Sequence, residues 1–158
     1  MAAWTRSFNI TATATRQGAE VSELVDTSAL ILGTRDDRVR PWLIDAAAKD
    51  EVTLCDFIAL EFLMGAQTAD DYARLELALA GFRWAETVPA DWRRAQDVHR
   101  ALAGQGAGHQ RSVRIPDLLI AAVAEREGLV VAHYDEDYDR ISSITGQPTR
   151  WVLPRGTA

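Results

Sequence analysis

Four carboxylates interrupt apolar stretches of this chain at places where folding has little use for a charge. Asp26 ends the apolar run of LVDTSAL, at the kind of strand edge where open α/β sheets bind ligands. Glu61 lies mid-way through DFIALEFLMGA, a stretch apolar enough all round to predict a buried helix. A buried carboxylate needs a cation or a raised pKa, yet no basic residue stands within a turn of Glu61. Gly65, four residues on, is expected to leave room on the same face. Asp117 follows Pro116 in IPDLLIAAVAERE, in the first turn of a helix whose start the proline fixes. Asp135 closes the apolar run of VVAHYDEDYDRI, with Asp137 and Asp139 at alternate positions after it.

Each acid alone has an ordinary use. Asp26 or Ser28 can cap the following helix, Asp117 can offset a helix dipole, and Asp135 or Asp137 can cap a short helix. A calcium loop is excluded: Arg140 and Gly146 stand where its sixth and twelfth positions need Gly and Glu. Brought together, the carboxylates form a different object. Several of them in one cleft cannot all ionise without a counter-charge. Hard divalent cations, Mg²⁺ or Mn²⁺ in its place, supply that charge, prefer oxygen ligands and serve phosphodiester or phosphate chemistry. Other chemistries lack their parts. The single cysteine, Cys55, excludes an internal disulfide and a structural zinc site. A Walker loop, a G-x-G-x-x-G turn and a G-x-S-x-G elbow are all missing.

The elements that must position these acids follow from pattern. Short apolar runs predict strands at 22–26, 52–54, 82–88, 129–133 and 150–153. Amphipathic or apolar stretches predict helices at 38–49, 57–66, 70–80, 90–103 and 116–127. Such alternation predicts an α/β fold, with a central, mostly parallel sheet flanked by helices. In such a sheet Asp26 and Asp135 leave the same edge and meet if their strands are neighbours. Glu61 and Asp117 then arrive on helices that begin at that edge.

Net charge is −6, from 17 basic and 23 acidic residues, which excludes a globally cationic nucleic-acid coat but not a local basic patch. The best such patch is 104–114, GQGAGHQRSVR, which holds His109, Arg111 and Arg114 and no acid. It reads as a phosphate grip or, equally well, as a solvated connector. Residues 1–20 read as a flexible N-terminal arm outside a single domain at 21–158. With no apolar run of membrane-spanning length and no signal-peptide core, a cytoplasmic setting is expected, with no membrane partner. Trp42, Trp84, Trp92 and Trp151 read as core or subunit interface, His99 as a surface residue and His133 as a satisfied core histidine.

The motifs LVDTSALI, ALEFLMG, IPDLLIAA and VVAHYDEDYDRI, in that order over about residues 22–153, resemble the PIN-domain toxins of bacterial VapC type. Residues 1–20 are a departure, since most relatives begin just before the first strand. The resemblance implies a PIN-like α/β domain and a magnesium-dependent endoribonuclease. It implies the toxin of a type II toxin–antitoxin pair, a homodimer acting on tRNA or rRNA and checked by a VapB-like antitoxin. Asp26, Glu61, Asp117 and Asp135 would be its catalytic acids, with Asp26 and Asp117 the principal metal ligands. Asp137 shares or replaces the role of Asp135, and Ser28 supports the site by hydrogen bonding. Water activated by the metal would leave 5′-phosphate and 3′-hydroxyl ends.

The competing readings fit less well. A HAD-like phosphatase needs a second aspartate where Ser28 stands, and a receiver domain needs a strand-end lysine, whereas the only lysine is Lys49. A non-catalytic PIN-like RNA-binding scaffold does not need the four acids, all of which are present.

Overall fold

Strands buried on both faces of a sheet must be apolar nearly throughout, and the central strands of this protein are. In the computed structural model, which describes residues 22–158, five short strands form one fully parallel sheet. They are β1 (Glu23–Val25), β2 (Val52–Cys55), β3 (Arg83–Ala85), β4 (Val130–His133) and β5 (Thr149–Trp151), in the order β3-β2-β1-β4-β5. The arm read at residues 1–20 lies outside the described residues. The neighbours that matter are β1 and β4: Val25 pairs with Ala132, and the Asp26 N–H donates to the Ala132 carbonyl at 2.9 Å. Asp26 and Asp135 therefore follow neighbouring strands at the same edge of the sheet.

The helices are α1 (Thr27–Arg35), α2 (Arg40–Ala48), α3 (Asp56–Leu63), α4 (Ala69–Leu79), α5 (Pro89–Gln105), α6 (Ile115–Glu127) and α7 (Asp137–Thr145). A 3-10 turn spans His109–Arg111, inside the segment expected to be loop. The five helices expected from pattern are α2 to α6. The two others, α1 and α7, were not among those expected. Asp26 caps α1 by accepting the Ser28 N–H, and Ala29, Leu30 and Leu32 bury its inner face. Gly33 is required there, since a Cβ would fall 2.2 Å from Leu43 Cδ2 on α2. In α7 Tyr138 and Ile141 are buried and Ile144 packs against the core, an apolar stripe at helical spacing on an otherwise polar helix. The helix α6 lies deepest, with every residue from Asp117 to Ala124 buried.

Several expectations need correction. The predicted strand at 82–88 is only three residues long. Beyond it the Thr87 and Val88 N–H groups donate to the Asp56 and Asp91 carboxylates rather than to a ladder. The helix carrying Glu61 is not buried all round: Leu60 is 59% exposed, and Met64, its C-cap, 83%. Gly65 falls in the turn after that helix, its N–H donating to the Phe62 carbonyl at 3.1 Å. Trp84 and Trp92 are about half exposed rather than core. The expected core histidine, His133, is fully buried, but only Nδ1 has a partner, the Asp135 N–H at 3.2 Å; Nε2 has none among the described residues.

Candidate active site

The site forms at the carboxyl edge of the sheet, where the chain leaves β1 and β4 for α1 and α7. Asp26 is buried there with both oxygens engaged. Its Oδ2 accepts the Ser28 N–H at 2.9 Å and the Ser28 hydroxyl at 2.5 Å. Its Oδ1 accepts the Tyr138 hydroxyl at 2.6 Å. Ser28 Oγ also accepts the Tyr134 N–H at 2.9 Å, so one hydroxyl ties the ends of β1 and β4 together. Tyr138 is fully buried, and burial followed by the nearby Asp26 charge pushes its pKa well above the ordinary range. It therefore stays a neutral donor.

Glu61 is half-buried on α3, and its Oε2 accepts the Thr27 hydroxyl at 2.7 Å. Asp117 is fully buried in the first turn of α6. Burial pushes its carboxyl up to about 8; the Arg114 charge opposes this, while Asp26 and Asp135 reinforce it. Asp135 Oδ1 accepts the Asp137 N–H at 3.0 Å, which starts α7. Asp137 Oδ2 accepts the backbone N–H of Arg114 at 3.0 Å, and its Oδ1 accepts from Arg140 at 2.6 Å. Asp117, Asp135 and Asp137 each present one carboxylate oxygen within 4.8 Å of the others. Asp26 is outside that triple, although its charge is felt by Asp117. Asp139 has a separate use, accepting the Trp151 indole N–H at 3.0 Å.

The basic residues divide. The Arg114 guanidinium lies on the acids, at 3.0 and 3.1 Å from the two Asp117 oxygens and 3.0 Å from Asp135 Oδ2. Arg111 is exposed in the 3-10 turn, its side chain without an ion pair among the described residues. His109 is exposed and lines a cleft of about 470 Å³ with Gln105, Ser112, Arg140 and Ser143. Reading the sequence missed Tyr138, Thr27 and the engagement of Arg114 with the acids. For Arg114 the signal was present, because Asp117 stands three residues on, at ion-pair spacing across a helix start. Thr27 and Glu61 are 34 residues apart, and no local pattern joins them.

The sequence profile described as the PIN domain matches residues 24–144. Ribonuclease VapC18 of Mycobacterium tuberculosis is 46% identical over 133 residues, covering 84% of this chain and 96% of that protein. The chain belongs to the VapC family of PIN-domain ribonucleases. Ribonuclease VapC51 of the same organism is 40% identical over 134 residues, covering 85% of this chain and 95% of that protein. Among solved structures, DNA-bound VapBC from Salmonella typhimurium superposes with a TM-score of 0.67 at 16% identity. It covers 85% of this chain and 100% of its own, which is a likeness of fold. The converging acids of this chain suit a hard divalent cation: the donors are all carboxylate oxygens, and a guanidinium already supplies positive charge among them.

Proposed function

We propose that this VapC-type PIN domain is the endoribonuclease toxin of a type II toxin–antitoxin pair and that it hydrolyses RNA phosphodiester bonds at the acidic cleft. The observation that carries the reading is the meeting of acids from separate elements around one place that needs positive charge. Asp117, Asp135 and Asp137 would hold Mg²⁺ or Mn²⁺, with Asp26 and Glu61 completing the negative surroundings. When bound, the ion supplies activation of water and neutralises charge developing on the phosphate. The chain's own part is to keep the acids in place. Tyr138 and Ser28 fix Asp26, Thr27 fixes Glu61, and Arg140 fixes Asp137. The substrate would be tRNA or rRNA, gripped at the phosphates by Arg111, His109 and, once released from the acids, Arg114. A VapB-like antitoxin, a homodimer and a cytoplasmic setting complete the proposal. Among the described residues no helix is long and apolar enough to cross a membrane.

The test is cleavage of purified tRNA and rRNA with Mg²⁺, with chelator, and by Asp117→Asn. Cleavage is expected with Mg²⁺ alone, loss of about 100-fold or more in the other two cases, and 5′-phosphate ends. Full activity in chelator, or products ending in a cyclic phosphate, would overturn the reading.

A further inference from the structure

Arg114 touches all three acids whose oxygens converge. Its guanidinium spans both oxygens of Asp117 and reaches Asp135, while its backbone N–H holds Asp137. The Glu61 charge acts on the same guanidinium. The Arg114 guanidinium thus supplies the counter-charge for Asp117 and Asp135, as that of Arg140 does for Asp137. The two ends of the ion pair differ in their surroundings: the Arg114 side chain is 57% exposed and that of Asp117 is 0% exposed. The guanidinium therefore closes the cleft from the solvent side and can leave without disturbing the core. Arg140 is placed differently, tied at once to Glu136, Asp137 and the Ser112 carbonyl.

Resting on the metal reading above, we propose that Arg114 is an exchangeable counter-cation that holds the acids together without metal and gives up its place to the divalent ion. The physical ground is competition for the same lone pairs. A guanidinium takes a carboxylate through two parallel N–H···O bonds, and a hard cation takes it through the same oxygens. The acids cannot serve both fully, so binding of the ion carries the cost of displacing Arg114. The backbone N–H of Arg114 stays on Asp137 and provides a fixed pivot. The freed side chain is left at the cleft mouth, with a fork that fits a phosphate as well as it fits a carboxylate. Arg114 is thus a positioning residue, and its first effect is on metal affinity.

Calorimetric titration of Mn²⁺ into metal-free full-length protein, without RNA, reads that effect. Arg114→Ala is expected to bind Mn²⁺ about tenfold more tightly than the wild type, as removal of competing charge-assisted hydrogen bonds requires. Arg114→Lys keeps the charge but loses the fork and should fall between the two. It also serves if the alanine variant folds poorly, a point its metal-free melting curve shows. Mn²⁺ affinity in both variants equal to or weaker than that of the wild type would overturn the proposal while leaving the metal reading intact. Absence of Mn²⁺ binding in the wild type and both variants would overturn both. Tight binding seen only after Arg114 is replaced would support the exchange in its strongest form.

Discussion

A buried carboxylate left without hydrogen-bond donors is costly, and Ser28 and Tyr138 supply them to Asp26. Tyr138→Phe removes one donor and leaves Asp26 Oδ1 short of a partner inside the protein. Expected is a loss of about 1–3 kcal/mol in stability, read from the urea midpoint, with a fall in RNA cleavage larger than the stability change alone explains. Equal activity in the folded variant would show that the Asp26 orientation does not matter to the reaction. A second residue gives a pH prediction. Burial pushes the Cys55 thiol up to about 11, the first cause, ahead of the backbone N–H groups that lower it. Thiolate therefore forms in the folded protein only near that pH, against about 8.5 in an unfolded chain. The folded pKa is raised for an acid, so the favoured form is the protonated one. The stability tied to Cys55 is full below the unfolded pKa and declines as pH rises from there towards the folded one. At pH 8 iodoacetamide should leave folded protein unlabelled and label it rapidly in denaturant; rapid labelling of the folded form would show that the thiol is accessible.

The elements make the site by meeting at one edge, and how closely they approach sets how well the acids align. At the α1–α2 crossing Gly33 lets the Leu43 side chain come within the space of a Cβ. Gly33→Ala is expected to destabilise by about 1–3 kcal/mol through overpacking and to shift α1, which carries Thr27 and Ser28. A thermal melt reads the first effect and RNA cleavage the second; unchanged values would mean that Leu43 adopts another rotamer at little cost. Element patterns were legible in the sequence where an apolar run was long, as in α6, or where proline and glycine marked the ends. They failed where a helix is held by partners distant in sequence. The helix α7 is short and starts on an Asp135 side chain taking the Asp137 N–H, and its apolar stripe of Tyr138, Ile141 and Ile144 is interrupted by charged and hydroxyl residues. The acids themselves were legible because a charge interrupting an apolar run has few uses. Asp137, visible only as a second choice beside Asp135, belongs to the converging triple because α7 turns it inward. Arg114 was assigned to the glycine-rich loop by composition, while the start of α6 commits its side chain to the acids.

At the scale of the whole molecule the difficulty is charge. A protein of net charge −6 that binds RNA must do so through a local field, since its average field repels the polyanion. Most of its arginines already face carboxylates, including Arg94 on Glu125, Arg126 on Asp91 and Arg150 on Glu23. Arg111 has no ion pair among the described residues, a property it shares with Arg35, Arg83 and Arg93, but it stands in the turn between α5 and α6, exposed and next to Arg114 and the acids' end of α6. That turn also carries His109, on the wall of the cleft where Arg140 fixes Asp137. A phosphate held there would lie against Arg140, the partner of Asp137, without neutralising the remainder of the surface. Arg111→Ala should therefore weaken RNA binding nearly equally across sequences, because phosphate contacts carry no base identity. Its slope of log K against log salt should be shallower by about 0.7, the share of one single-strand phosphate contact. Fluorescence anisotropy with labelled single-stranded RNA, run in chelator to prevent cleavage and repeated at several salt concentrations, measures both quantities. A slope unchanged from wild type would remove Arg111 from the interface and transfer the grip to other arginines, Arg114 beside the acids foremost among them.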